Sequence, residues 1–255
     1  MAPTQEEWDA LDEAGREAVS AALPGEVTDA EMSPPEGDLH FKGKMRALDA
    51  LRNYFKRQRR RIYLAPELPV YYPAEPRFAP DLLAVLDADD HDRNSWFVSR
   101  EGKGLDWILE VHVGGDRKKD AERNVARYAR LGIQEYFVYD RARNRLAAYQ
   151  LAAGSRAYVP MVPQGGLYTS HVLGLDVEVQ KDRLRFYAGS AMLLESDELI
   201  SRLERMLVEV SERAEEEARL REEEARLREE EARLRKAADQ EVERLRAEIE
   251  RLTTK

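Results

Sequence analysis

The sequence predicts an α/β fold in which helices flank a mixed β-sheet, followed by a long C-terminal α-helix. Two patterns typical of buried strands, "DWILEVHV" and "EYFVYD", stand on either side of an amphipathic helix pattern, "DAERNVARYARLG". Strands that alternate with helices form a sheet with helices packed on its faces. From about Ser196 glycine and proline disappear and "EEEARLR" recurs every seven residues, which indicates the long helix.

Two helices are predicted before the strands. Thr4 and Glu7 have the spacing of a capping box, and apolar residues follow at helical intervals as far as Pro24-Gly25. This segment, 1–30, is predicted to be one short helical lead-in. The second helix has an apolar face and ends in the basic run "KRQRRR". Its apolar residues are Phe41, Met45, Leu48, Leu51 and Phe55.

The remaining strands are predicted from short apolar runs interrupted by turn residues. "IYLAPELPVYYP" and "APDLLAVLD" indicate short strands separated by prolines, and "RLAAYQL" and "AYVPMVP" continue the β pattern. "LYTSHVLGLDVEVQKDRLRFYA" indicates a further hairpin. These runs predict one folded domain over residues 31–195.

The C-terminal segment, 196–255, is predicted to be a charged helix of about 85 Å at roughly 1.5 Å per residue. Its repeats place Glu four residues before Arg, the favourable order for helix-stabilising pairs. Leu220, Leu227 and Leu234 supply one leucine per heptad, whereas a two-stranded coiled coil needs two apolar positions. The apolar spacing is better at both ends of the segment. Two interpretations follow, a dimerising coiled coil and an unpaired helical spacer.

The amino-acid composition restricts both the cellular location of the protein and the kinds of site that it can form. The chain has no cysteine, so disulfides and thiolate zinc sites are excluded, and a cytoplasmic location is predicted. No apolar run reaches the roughly 20 residues that cross a bilayer. The net charge is -9, of which the segment from Ser196 contributes -5 through 19 acidic and 14 basic residues. Overall charge therefore does not indicate nucleic-acid binding, which would need a local basic surface.

Two carboxylates stand at corresponding places in neighbouring predicted strands. Asp81 follows Pro80 at the start of "LLAVL", and Glu110 ends "WIL". Acidic side chains that converge from adjacent strands can hold Mg²⁺, which takes carboxylate oxygens and water. Each of these carboxylates taken alone is also consistent with a solvated or ion-paired residue at a strand edge.

Several of these motifs together resemble a known family. "APDLLAVL", "WILEVHV" and "DAERNVARYARLGIQEYFVYD", preceded by "EMSPPEGDLHF", resemble the Uma family of putative restriction endonucleases, within the PD-(D/E)XK nuclease superfamily. The resemblance extends from about Glu31 to Glu195. It implies a restriction-endonuclease-like core, hydrolysis of DNA phosphodiester bonds, and Asp81 and Glu110 as ligands of Mg²⁺ or Mn²⁺.

The resemblance also implies a catalytic lysine, and here the sequence departs from the family pattern. The superfamily's lysine two residues after the glutamate is His112, and the family's lysine on the following helix is Asn124. Lys118 and Lys119 precede that position, and we expect Lys119 to reach the site. His112 is a second candidate, as a ligand or a base. The alternatives are a solvated loop for "GGDRKKD" and a structural role for His112.

Further residues, Lys118 and Asn124 among them, are candidates for the cleft or for nucleic-acid contacts. By resemblance, Glu31 and His40 occupy the family's acidic and histidine positions before and at the start of the second helix. Arg57 and Arg60, in the basic run, are candidates for phosphate contacts. Helix capping for His40 and compensation of the helix dipole for the arginines are the structural alternatives.

Three functions are consistent with these observations. The first is a Mg²⁺-dependent endonuclease acting on DNA, degenerate at the lysine. The second is an inactive nuclease-fold module that binds nucleic acid or protein. The third is a scaffold whose C-terminal helix joins two globular heads. A homodimer through the core or the helix is expected, without membrane association.

Overall fold

The computed structural model describes residues 1–24, 37–113 and 118–253, without the side chains of 118–121 and 252–253. These residues form two compact units, Met1–Ser196 and Asp197–Lys255. The first unit is a mixed α/β domain, and the second is part of one long helix. The predicted fold class is confirmed.

The helices in the described residues are α1 Gln5–Asp9, α2 Glu13–Ala22, α3 Gly37–Gln58, α4 Val98–Glu101, α5 Lys118–Arg130 and α6 Ser196–Thr253. The strands are β1 Ile62–Ala65, β2 Val70–Tyr71, β3 Leu82–Leu86, β4 Trp96–Phe97, β5 Trp107–His112, β6 Glu135–Asp140, β7 Arg145–Leu151, β8 Tyr158–Pro160, β9 Tyr168–Ser170, β10 Leu175–Gln180, β11 Arg183–Ala188 and β12 Ala191–Met192.

The central sheet has six strands in the order β1-β3-β5-β6-β7-β8. All neighbours are antiparallel except β5 and β6, which run parallel and lie on either side of α5 in the sequence. A parallel pair needs a crossover connection, and α5 lies in it. A second sheet has the order β12-β11-β10-β9, and β2 pairs with β4.

The N-terminal segment forms two helices rather than the single predicted one. Thr4 and Glu7 form the predicted capping box at the start of α1. Asp12 then accepts a hydrogen bond from the Gly15 backbone N–H and caps α2. The apolar periodicity continues across the break, but a short acidic residue that caps a new helix ends the first one.

The inward face of α3 differs from the predicted apolar stripe in its first turns. Phe41 is 57% exposed, although Leu48, Leu51 and Phe55 are buried as predicted. The buried positions before Leu48 are His40, Gly43, Lys44 and Ala47. Two polar side chains therefore occupy the helix face that points inward, at the end of α3 nearest its N-terminus.

A glycine allows α3 to approach β5 closely. A Cβ atom built on Gly43 would lie 3.1 Å from Cγ1 of Val111, tighter than nine in ten such contacts. Val111 is fully buried in the cluster of apolar side chains between α3 and the sheet. The missing side chain at Gly43 thus brings the polar start of α3 next to the end of β5.

The long helix α6 is regular over 58 residues. Two of the predicted Glu-Arg pairs are present, with Glu217 3.3 Å from Arg221 and Glu224 2.6 Å from Arg228. Its large apolar side chains, including Leu203, are exposed. Within the described residues, none of the helices has the length and apolar character needed to span a membrane.

Candidate metal centre

Asp81 and Glu110 lie side by side where β3 begins and β5 approaches its end. The register places Leu82 opposite Leu109, so Asp81 adjoins Glu110. The backbone N–H of Asp81 points to Glu110 Oε2 at 3.4 Å, a long hydrogen bond. The Asp81 carboxylate is held more firmly, because its Oδ2 accepts a hydrogen bond from the Val111 N–H at 2.7 Å.

His40 reaches the same carboxylate from α3. Its Nε2 lies 2.8 Å from Asp81 Oδ1, and both side chains are about nine-tenths buried. At this distance the imidazole and the carboxylate form a close polar contact, which helps to lower the pKa of Asp81. A histidine nitrogen and a carboxylate oxygen are also donor types that bind divalent metal ions in proteins.

Glu67 is a third acidic residue at this place, and sequence reasoning missed it. Its backbone has a φ of 48°, in the left-handed region that non-glycine residues rarely occupy, and its N–H donates to the Pro80 carbonyl at 3.0 Å. One ligand atom each from His40, Glu67 and Asp81 lie within 4.8 Å of one another. Such backbone strain is concentrated at functional sites. The sequence signal was weak, because Glu67 lies between prolines in an irregular turn.

Glu110 is fixed by a residue on α5. Its Oε1 accepts a hydrogen bond of 2.8 Å from the Tyr128 hydroxyl. Glu110 keeps some accessible surface at the edge of the strand, yet protein atoms surround its carboxylate. Burial, together with the negative charge of Asp81, raises the pKa of Glu110 well above its usual value.

The pKa of Asp81 is shifted in the opposite direction, below its usual value. Burial works against its ionisation, but the His40 contact, the Val111 N–H and the charge of Lys44 outweigh burial and lower the pKa of Asp81. The two carboxyl groups therefore prefer to carry a single negative charge between them. A divalent cation would relieve this repulsion and favour the fully ionised pair.

The donor set fits a hard divalent cation. Asp81 and Glu67 offer carboxylate oxygens, which Mg²⁺ and Mn²⁺ prefer, and His40 offers a nitrogen. Glu110 adds a further carboxylate beside Asp81. The Tyr128 hydroxyl and the Val111 N–H hold two of these carboxylates from behind, as outer partners of metal ligands do.

The structure gives the other predicted residues different surroundings. His112 follows Glu110 by two residues, pairs in register with Asp140 of β6, and its carbonyl accepts from the Arg141 N–H at 2.7 Å. Asn124 lies on α5 beside the Tyr136 hydroxyl.

The remaining predicted residues fall outside this cluster or outside the described residues. Glu31 is not among the described residues, and neither are the side chains of Lys118 and Lys119 at the start of α5. Arg57 donates to the Asn53 carbonyl, and Arg60 donates to the carbonyls of Val172 and Leu173. The contacts of Arg60 are those of a structural arginine that ties α3 to the segment before β10.

A family model described as "Uma2: Putative restriction endonuclease" matches residues 6–180. The chain belongs to this family. The match covers more than half of the chain and includes Asp81, Glu110 and His40, so the family predicted from the sequence is confirmed. Membership in the Uma2 family supports a nuclease-like function for this chain.

Two further comparisons are less informative for this Uma2 family member. A crystal structure of a putative nuclease belonging to DUF820 from Anabaena variabilis ATCC 29413 is similar, with a TM-score of 0.46 and 13% identity. That similarity covers 61% of this chain and 89% of the other chain. No curated protein matches the sequence.

Proposed function

We propose that this Uma2 family protein hydrolyses phosphodiester bonds of DNA with the help of Mg²⁺ or Mn²⁺. The observation that carries the proposal is the meeting of Asp81 and Glu110, from neighbouring strands, with His40 from α3. Three polar side chains from separate elements are thus gathered at one end of the central sheet. An apolar cluster would stabilise this end of the domain at less electrostatic cost.

Asp81 and Glu110 would hold the ion, and His40 and Glu67 are the adjoining donors. When bound, a divalent cation lowers the pKa of a water molecule and stabilises negative charge on a phosphate. The Val111 N–H keeps Asp81 Oδ2 turned toward β5, which directs Oδ1 toward His40. The Tyr128 hydroxyl holds Glu110 in place and keeps its carboxylate oriented.

The proposal assigns hydrolysis to residues 31–195 and regards 196–255 as a separate helical segment. DNA is the proposed partner because the family is one of restriction endonucleases. The sequence predicts Lys119 and His112 as candidates for the positive charge that the family's lysine would supply.

Cleavage of supercoiled plasmid and of single-stranded DNA, with Mg²⁺ or Mn²⁺ and with a chelator, tests the proposal. Asp81→Asn and Glu110→Gln keep the shape of each side chain and remove its charge. We expect each to reduce the cleavage rate by at least about 10²-fold, the scale of losing an electrostatic catalytic contact. Asp89→Asn is the matched control, because Asp89 is exposed and its carboxylate pairs with Arg61. Cleavage that persists in both site variants would refute the metal-nuclease proposal.

The alternative function is an inactive nuclease-fold module that binds nucleic acid. Asn124 and His112 favour it, because neither supplies the lysine that the family pattern places there. DNA binding by the wild type without cleavage under any metal condition is the result expected from this alternative.

A further inference from the structure

We propose that Lys44 supplies the catalytic cation of this site, in place of the lysine missing at positions 112 and 124. The inference rests on the proposed nuclease function and adds a residue to it. Neither the spacing of the family motif nor the strand pattern pointed to Lys44, because it lies on α3, far from β5 in the sequence.

The position of Lys44 on α3 directs it to the metal-binding cluster. His40 and Lys44 are four residues apart, so they lie on the same face of the helix, one turn from each other. His40 contacts Asp81 directly. The ammonium group of Lys44 contacts the Glu67 carboxylate, which belongs to the same cluster as His40 and Asp81. The charge of Lys44 also acts on Asp81.

The burial of Lys44 is unusual. It is the one buried lysine in the described part of the chain, and its side chain is only 3% exposed. Buried ammonium groups are rare because desolvation is costly, and an apolar side chain of similar volume often stabilises a fold equally well. Its partner Glu67 is 49% exposed, so the pair lies at the boundary between the protein and solvent. A cation kept at this boundary is placed to meet an anionic ligand.

The other cations near this end of the domain have different contacts. Arg141 donates to the Leu39 carbonyl and pairs with Asp182. Arg127 pairs with Glu75 and lies over the Phe78 ring. The side chains of Lys118 and Lys119 are outside the described residues, so the experiment also tests them as alternative catalytic cations.

The role of Lys44 follows from the negative charge that develops during phosphodiester hydrolysis. Water adds to phosphorus, the bond from phosphorus to the leaving oxygen breaks, the attacking water gives a proton to solvent, and the leaving oxygen takes one up. Negative charge accumulates on the phosphate oxygens during this exchange. Lys44 offsets that charge from its buried position beside Glu67, because electrostatic contacts are stronger where water is excluded.

The test compares Lys44→Met with the wild type and with Lys42→Gln. Methionine fills the space of the lysine stem without its charge. Lys42 is an exposed lysine on the same helix, paired with Asp38, and serves as the control. We expect Lys44→Met to lower kcat by about 10²- to 10³-fold. Mn²⁺ binding, measured by calorimetry, should be retained with a Kd no weaker than that of the wild type, because the ammonium group does not ligate the metal and its removal takes away a like charge.

A second variant covers the case in which Lys44→Met does not fold. The chain contains no cysteine, so Lys44→Cys introduces a single thiol. The thiol, exposed in mild denaturant, displaces bromide from 2-bromoethylamine and restores a primary amine, whereas iodoacetamide gives a neutral side chain of similar length. We expect cleavage to return, after refolding, with the amine and not with the amide.

The outcomes separate this inference from the proposed function. Full cleavage by Lys44→Met, with cleavage lost in Asp81→Asn, would overturn the role of Lys44 and leave the nuclease proposal standing. Loss of cleavage in Lys118→Gln or Lys119→Gln, but not in Lys44→Met, would likewise overturn the role of Lys44 and leave the nuclease proposal standing. Equal recovery with the amine and the amide would reduce Lys44 to a packing residue. A wild type that never cleaves DNA would overturn both proposals.

Discussion

Asp81 Oδ2 accepts a hydrogen bond of 2.7 Å from the backbone N–H of Val111. The contact joins the first residue before β3 to the residue after Glu110 on β5, so the two candidate ligands are tied through the sheet itself. Val111 also contacts α3 at Gly43, and the same residue therefore connects the two carboxylates to the helix that carries His40 and Lys44. Four predictions follow from the contacts around this cluster and along the tail.

Tyr128→Phe should weaken metal binding. The variant removes the hydroxyl that donates to Glu110 Oε1, and loss of such an outer partner typically reduces metal affinity 10- to 100-fold. Calorimetry with Mn²⁺ measures the effect. Tyr158→Phe is the control, because the Tyr158 hydroxyl donates to the Ile133 carbonyl instead. Equal Mn²⁺ affinity in both variants would show that Tyr128 does not orient Glu110.

Glu110→Gln should stabilise the metal-free protein while it removes activity. Burial and the charge of Asp81 raise the pKa of Glu110, so the folded state binds more protons than the unfolded state. Stability of the wild type therefore falls as pH rises through the folded-state pKa. The variant lacks this loss of stability. At neutral pH we expect its free energy of unfolding to exceed that of the wild type by about 1 kcal/mol, as is common when a strained functional residue is replaced.

Urea unfolding in the presence of a chelator, at several pH values, measures this gain. The advantage of Glu110→Gln should shrink toward acidic pH, below the pKa of the carboxyl group in the unfolded chain. Glu122→Gln, on the exposed face of α5, is the matched control. A variant less stable than the wild type at neutral pH contradicts the prediction.

Gly43→Ala should impair cleavage without the stabilisation that alanine normally gives inside a helix. Glycine in a helix interior is destabilising by roughly 0.5–1 kcal/mol relative to alanine. At position 43, however, the new Cβ meets Val111 at 3.1 Å, and α3 or β5 has to shift by a few tenths of an ångström. We expect unchanged or lower thermal stability and a cleavage rate reduced by about tenfold. Higher stability with full activity would show that the close approach is not needed.

The C-terminal helix is predicted to dimerise through its two ends. Leu203 and Val210, and likewise Leu245 and Ile249, are exposed and spaced by seven or four residues, as in a coiled-coil seam. Paired Glu substitutions at Leu245 and Ile249 should convert a dimer to a monomer in sedimentation velocity. Leu227→Glu, in the weak middle of the repeat, should have a smaller effect. A wild type that is monomeric at all concentrations would favour the helical spacer.

Periodicity and turn residues predicted most of the fold. The "WILEVHV" and "EYFVYD" runs form β5 and β6, the amphipathic pattern between them lies in α5, and the heptad repeat forms α6. Such patterns are local, because each element carries its own alternation of apolar and polar side chains. The split between α1 and α2 escaped prediction because the apolar spacing continues across Asp12, and only the cap geometry divides the two helices.

The pairing of Asp81 with Glu110 was predicted as a hypothesis from the sequence, since both residues occupy corresponding places in adjacent strands. The roles proposed for the individual residues still depend on the experiments above. Nothing in the sequence indicated Glu67 or Lys44, which come from an irregular turn and from the middle of a helical pattern. Residues like these meet only when the chain folds, and no spacing rule connects them.

The sequence by itself determined the element types, the charged helical tail, the family and the two carboxylates at matching strand positions, because these depend on local pattern and motif. Only the tertiary structure decided which side chains in the first turns of α3 face inward. Phe41 lies outside, while His40 and Lys44 lie inside, because Gly43 lets the helix approach Val111 and brings these polar groups beside Asp81. The groups that surround a buried charge are brought together by packing between segments that are distant in the sequence. No single segment therefore predicts them.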